Sequence, residues 1–276
     1  MRRIISAVLA TLMLLTLTTA YAEEESGWQN ILLLGGDSRS TSSYERSDSM
    51  IILSINRDEA LVKMTSVMRD TWVNYPGLAS SGKINAATVY GGAELAVETV
   101  NSCFGTDIKD YVIVNMYEMK KIIDLMGGVD IELTGSEASL LNLGKSGLRH
   151  LDGETAVEYS RIRSIDNDYV RVMRQQKVLL AMADRAQNME LDELSAIADD
   201  VMDIILTNMD DEELKDLMMA LMVMDIEEVG QYRVPVDGTF SSGMFNGIWL
   251  ISPDFEQNAA LLHEFIYGEG TETPAQ

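Results

Sequence analysis

Apolar positions along the chain fall into two rhythms, short runs closed by glycine or polar turns and longer stretches with helical spacing. The run WQNILLLGG at 28–36 predicts a buried strand ended by its glycines. Residues 49–56 and 60–68 predict two more strands, joined by Arg57, Asp58 and Glu59 as a hairpin-like link. Residues 93–104 have helical spacing behind Gly91 and Gly92. A strand is expected at 110–116, a helix at 117–126 stopped by Gly127 and Gly128, and a strand at 129–133. Asp152 can cap a helix that opens there, and a long helix spans 169 to about 186. Two acidic helices follow, over about 191–206 and 211–224. Strands near 227–236 and 247–251 and a helix at 254–268 complete the pattern, with a disordered tail over 268–276. Strands alternating with helices predict an α/β/α sandwich: one central mixed sheet with helices on both faces, in a single domain over 28–267.

The 276 residues are 46% hydrophobic, enough for an ample core. The net charge of −23 argues against nucleic acid as partner, because phosphate binding needs a basic surface. An anionic ligand must therefore meet local clusters of arginine. Cys103 is the lone cysteine, so no intrachain disulfide forms; its apolar setting predicts a small buried hydrophobe. The methionines between 182 and 224 sit mostly at core spacing. Residues 1–22 carry Arg2 and Arg3, an apolar run, and small residues before a cut after Ala22. They predict export, by a cleaved signal or an uncleaved membrane anchor.

Three clusters stand out against the acidic background. Asp37 and Asp48 flank the turn between the first two strands, so neighbouring strands would bring both carboxylates to one end of the sheet. Two carboxylates with phosphates and waters are the usual way to hold Mg²⁺; Arg39 and Arg46 would add anion donors. The bland alternative is an Asx-turn with loop salt bridges. Arg69 and Asp70 end the third strand, as an edge salt bridge or aimed into a cleft at the sheet end. Arg161, Arg163, Arg171 and Arg174 fall within fourteen residues. Arg161 and Arg163 alternate and cannot share a helical face, so the backbone there is extended or turning. Arg171 and Gln175 are one turn apart on one face. Arginine is the side chain for polydentate phosphate contact.

Seven pieces in order resemble the LytR-CpsA-Psr family of cell-envelope proteins: NILLLGGDSR, RSDSMIILSIN, SVMRDTWV, KINAATVYGG, VNMYEMKKIIDLMGGVDIEL, LDGETAVEYSRIR and DYVRVMRQQKVL. They cover about residues 30–180. The family often has proline where this chain has Met68. The resemblance implies an exported phosphotransferase at the outer face of the cytoplasmic membrane. Such an enzyme moves a glycopolymer, such as a wall teichoic acid or capsular polysaccharide, from a polyprenyl-pyrophosphate carrier to peptidoglycan. It implies Asp37 and Asp48 as Mg²⁺ ligands, and Arg46, Arg69, Arg161, Arg163, Arg171 and Gln175 around the pyrophosphate. Arg69 matches the arginine most tied to catalysis; Asp70 would orient it or take the acceptor's proton. An apolar tunnel for the lipid tail is implied too, and stretches 94–100 and 119–126 could line it. Two alternatives are a hydrolase of the same carrier and a non-enzymatic module that binds lipid-linked sugar.

Overall fold

The computed structural model describes residues 27–36, 46–165, 168–224, 226 and 228–268. The expected leader or anchor and the tail beyond Gly268 lie outside these residues, as does Asp37. Three antiparallel strands come first: β1 (Trp28–Gly36), β2 (Ser47–Asn56) and β3 (Leu61–Val67). A small hairpin, β4 (Trp72–Asn74) and β5 (Ser81–Lys83), leads to α1 (Ala87–Phe104). Gly92, at φ 71°, interrupts that helix, so the expected start at residue 93 is a restart after one earlier turn. Strand β6 (Asp110–Asn115) runs parallel to β1 and feeds α2 (Met116–Leu125) through an Asn115–Glu118 capping box. A second hairpin, β7 (Val129–Leu133) and β8 (Gly147–Leu151), encloses α3 (Gly135–Leu140). Then come α4 (Gly153–Ser160), α5 (Asp168–Gln187), α6 (Leu191–Met202), β9 (Leu206–Thr207), α7 (Asp211–Val223) and β10 (Val229–Val234). A hairpin of β11 (Phe240–Phe245) and β12 (Ile248–Pro253) precedes α8 (Phe255–Tyr267).

The six-stranded sheet has the order β10-β3-β2-β1-β6-β9. It is mixed, with helices on both faces, as the alternation predicts. Side-chain alternation along β1 serves both layers. Leu32 and Leu34 pack with α1 and α8, through residues such as Val100 and Leu262. Ile31 and Leu33 face the opposite way, against Leu214 and Leu217 of α7. A separate cluster joins the β7–β8 hairpin to α2, α4 and α5 through Ile123, Ile131, Val157 and Val178. Each such buried side chain contributes about 1.5–3 kcal/mol. Asp152 caps α4 as expected, accepting from the Thr155 N–H at 2.8 Å, which holds its carboxyl below the usual range. Cys103 is half-buried against the core, and burial pushes its thiol up to about 12.

Several elements differ from the expectation for local reasons. The helix opened by Asp152 stops at Ser160, ahead of the arginines. The helix from 191 stops at Met202, because Leu206 and Thr207 pair with β6 and the Thr207 hydroxyl donates to Tyr111 O at 2.6 Å. Strand β8, with exposed Leu148 and His150, pairs with β7 and lacks an apolar signal of its own. No described helix is long and apolar enough to cross a membrane.

One buried ion pair ties α3 to α5. Arg174 Nε donates to Glu137 Oε1 at 2.7 Å with both side chains almost wholly buried, and Arg174 Nη1 donates to Ile162 O at 3.0 Å. Arg174 therefore serves a structural partner rather than the phosphate contact suggested by its cluster. Burial raises the Glu137 carboxyl, but hydrogen bonds from Arg174 and Thr134 outweigh it and the net direction is down. The stability it contributes is complete above its unfolded value of about 4.3 and is lost as pH falls through the lower folded value. Arg174→Met should cost about 3–5 kcal/mol in urea unfolding at neutral pH, and the double variant Glu137→Leu/Arg174→Met should recover part of it. The single variant's deficit should shrink in acid, where wild-type Glu137 is also protonated.

Candidate active site

Strands β1, β3, β6 and β10 all point the same way, so their C-terminal ends gather at one end of the sheet, where open α/β sheets bind ligands. Gly36 closes β1 opposite Ser47, which puts Asp48 at that end. Arg69 and Asp70 follow β3 there, after Met68 extends the ladder by donating to Val234 O at 2.9 Å. The Arg69 Nη1 donates to Asp48 Oδ1 at 2.8 Å, and Arg163 Nη2 stands 3.7 Å from the other oxygen. Arg69 Nε lies 3.8 Å from Asp70 Oδ2, and Asp70 Oδ1 accepts from Lys83 Nζ at 2.7 Å. Arg163, Asp48, Arg69, Asp70 and Lys83 thus alternate in sign, with three cations to two carboxylates. These groups keep contact with solvent, so each pair is worth at most about 1 kcal/mol of stability. Their consequence is orientation: the guanidinium of Arg69 is held by a carboxylate on each side.

Arg161 closes α4 and Arg163 follows in irregular backbone, as their spacing requires. The start of α4 can approach α2 only because residue 153 is glycine: a Cβ there would meet Lys120 O at 2.1 Å. Arg46 is exposed just ahead of β2. It is near enough to Tyr75 to pull that hydroxyl down, although burial and then Tyr90 push it up to about 12. Tyr75 donates to Lys83 O at 2.7 Å. Arg171 is buried in the first turns of α5, and Gln175 lies one turn further on.

Asp37 lies outside the described residues, so its half of the expected metal pair has no geometry here. Among the described residues no three His, Cys, Asp or Glu side chains stand together as a metal site. Asp48 offers hard oxygens beside cations suited to phosphate. That donor chemistry fits Mg²⁺, which binds through one or two carboxylates with phosphates and waters filling the octahedron.

Beside Asp48 an apolar cavity of about 370 Å³ opens between the sheet and α2, α4 and α5. Ser49, Asn115, Ser160 and Gln175 are its polar lining; Leu33, Met119, Val157, Val178 and Met182 are among the apolar walls. A second cavity of about 590 Å³ adjoins it, sharing Leu33, Leu179, Met218 and Leu221. The expected lining is half corrected. Met119 and Ile122 of stretch 119–126 do line the slot. Stretch 94–100 packs instead into the core on the other face of the sheet, and α5, α6 and α7 supply the wall. Met182 and Met218, expected at core positions, pack against the core and also line this slot.

Three residues escaped the sequence reading. Lys83 carries no signal beyond its place in KINAATVYGG. Buried Arg233 donates to Pro235 O at 2.9 Å and to Asp237 at 2.8 Å and lies 4.8 Å over the Tyr169 ring, bracing the start of α5. An arginine inside the apolar run 229–236 was its signal. Gln176 donates to Ser66 Oγ at 3.0 Å and Tyr232 O at 3.2 Å, pinning α5 to β3 and β10.

A family model described as the LytR_cpsA_psr family matches residues 14–264. A protein of Enterococcus faecalis named polyisoprenyl-teichoic acid–peptidoglycan teichoic acid transferase TagU is 37% identical over 157 residues, 54% of this chain. The chain spans about half of that relative's length, 51%. The Bacillus mycoides protein of the same name is 31% identical over 229 residues, 80% of this chain and 72% of that one. Among solved structures, Bacillus subtilis TagV superposes with a TM-score of 0.70 at 27% identity, covering 87% of this chain and 97% of that one. A structure described as TagT bound to LI-WTA superposes at 0.72 with 24% identity over 89% and 92%, a likeness of fold alone.

Inorganic pyrophosphate titrated into the protein by calorimetry should bind at this cluster. Arg163→Ala and Lys83→Met should each weaken it about 10- to 100-fold, the loss of one charge-assisted hydrogen bond. Unchanged affinity in both variants would remove the cluster as an anion site.

Proposed function

Because the chain belongs to the LytR-CpsA-Psr family, we propose that it is a transferase that moves a glycopolymer from a polyprenyl-pyrophosphate carrier to peptidoglycan, outside the cytoplasm. One observation carries this reading: the cations paired with Asp48 stand at the same end of the sheet as an apolar slot whose lining includes Ser49, the next residue in the chain. A diphosphate with a long hydrocarbon tail has the same two-part character. Burying the tail contributes about 0.8 kcal/mol per CH₂, so the slot can dominate affinity while the charged end selects the diphosphate.

The reacting phosphorus would sit among Arg46, Arg69, Arg161, Arg163 and Arg171. An acceptor hydroxyl attacks it, an O–P bond forms, the bond to the bridging oxygen of polyprenyl phosphate breaks, and the hydroxyl's proton passes to the departing phosphate or to solvent. Charge grows on the equatorial and leaving oxygens, and Arg69, already held by Asp48, meets it without reorganising. Arg69 is the best oriented of them, and Asp70, held by Lys83, acts mainly as its brace. Gln175, at the polar lining of the slot, would mark the junction of diphosphate and tail. Mg²⁺ held by Asp48 and Asp37 would neutralise further charge on the diphosphate. The names of the relatives support teichoic acid as cargo and peptidoglycan as acceptor.

The protein incubated with a polyprenyl-pyrophosphate oligosaccharide and peptidoglycan fragments should yield a phosphodiester-linked sugar on the acceptor by mass spectrometry. Arg69→Ala should lower turnover at least about 100-fold, the scale for losing one preorganised charge donor. Asp37→Ala, or EDTA, should abolish turnover with the fold intact; full turnover in either sinks the metal assignment. Free sugar phosphate without acceptor product would make the protein a hydrolase. Leu179→Trp, at a position that lines both cavities, should weaken long-tailed carriers far more than short ones at a stability cost of about 1–3 kcal/mol.

A further inference from the structure

The β11–β12 hairpin rises from the same end of the sheet as the charged cluster. Its base is fastened to the site: the Ile251 N–H donates to Asp70 O at 3.0 Å, and Thr71 bridges Ile251. Its tip turns on Asn246 and Gly247, both at positive φ (49° and 81°), the two-residue turn that suits a tightly twisted hairpin. Met244, Phe245, Ile248 and Trp249 flank that turn with exposures of 63%, 52%, 46% and 49%. Successive residues of a strand point to opposite faces, so both faces of the tip are apolar and bare. At the base, Leu250 and Ile251 are buried. No charged residue occurs from Thr239 to Pro253, in a chain of net charge −23.

We infer that this tip is a wedge that enters the interface of a lipid bilayer and holds the site against the membrane that carries its substrate. A flat partner, such as a sugar ring stacking on an aromatic side chain, needs one apolar face; a tip apolar on both faces suits a medium that surrounds it. The length fits. About three residues per strand span about 10 Å, and interfacial elements enter about 5–10 Å. Tryptophan favours that depth. The charge fits as well: a strongly acidic protein gains nothing from an anionic lipid surface, so the contacting element must be uncharged. The inference rests on the proposed lipid-borne substrate, but its test does not require turnover.

The full chain would be reconstituted in phosphatidylcholine vesicles with plain or brominated acyl chains. The fluorescence of Trp249 is taken as the difference between wild type and Trp249→Phe. Brominated chains should remove most of that emission and leave the emission of Trp28 and Trp72 largely intact. Equal Trp249 emission in both vesicles overturns the wedge. So does a Trp249 response to soluble peptidoglycan fragments alone, which would make the tip a glycan contact. In turnover, Phe245→Ser/Trp249→Ser should slow transfer from a vesicle-borne carrier several-fold and leave a soluble short-chain carrier unaffected. Equal rates on the vesicle-borne carrier also overturn it. If wild type transfers from neither carrier, the proposed function fails while the quenching result stands.

Discussion

The position of α5 is the constraint on which the rest of the site depends. It is held on two sides by buried polar contacts, Arg174 to Glu137 and Gln176 to the strands β3 and β10. Gln175 lies between these two anchors and lines the slot, as do Val178, Leu179 and Met182 further along the helix. A helix packed only by apolar contacts could rotate or slide by a fraction of a turn at little cost. A buried carboxylate and a buried amide with specific partners forbid that motion, because displacement would strand them without hydrogen bonds. The polar anchors thus set the register of an otherwise greasy wall.

The second theme is local charge against global charge. A chain at −23 repels anions at a distance, yet the sheet end gathers Arg69, Lys83 and Arg163 around two carboxylates. The carboxylates do not cancel the cations; they hold two of them in fixed directions. Screening over about 8–10 Å confines the acidic field to its own neighbourhood, so a ligand delivered at close range meets mainly the cations.

Much of this was legible in the sequence because the relevant residues sit on elements with strong local signals. The run WQNILLLGG, the strand 129–133 and the Asp152 cap declared themselves by period and by capping chemistry. The approach of Asp48 and Arg69 follows from strand ends that share one end of the sheet, whereas Arg163 is placed by the family resemblance rather than by local pattern. Lys83 could not be read, since it reaches Asp70 through the β4–β5 hairpin, whose three-residue strands carry no periodic pattern. The role of Arg174 is hidden for a related reason: the sequence shows a cluster of arginines but not the buried Glu137 that meets one of them. One of the two stretches expected in the slot wall lies on the wrong side, because apolar spacing on 94–100 shows that a face is buried, not which side of the sheet covers it. Membership of the family carried the functional reading further than local physics alone.

The slot has a kinetic consequence. Its apolar walls grip hydrocarbon, and under the proposed reaction the hydrocarbon is the same before and after the phosphorus–oxygen bond breaks. Contacts that are equal in substrate, transition state and product lower the concentration at which the enzyme saturates but do nothing for the chemical step. The spent carrier is then held nearly as firmly as the fresh one. Departure of the lipid, rather than bond making, would limit each cycle, and accumulated carrier would compete for the slot. An enzyme built this way is paced by how quickly the membrane takes its carrier back.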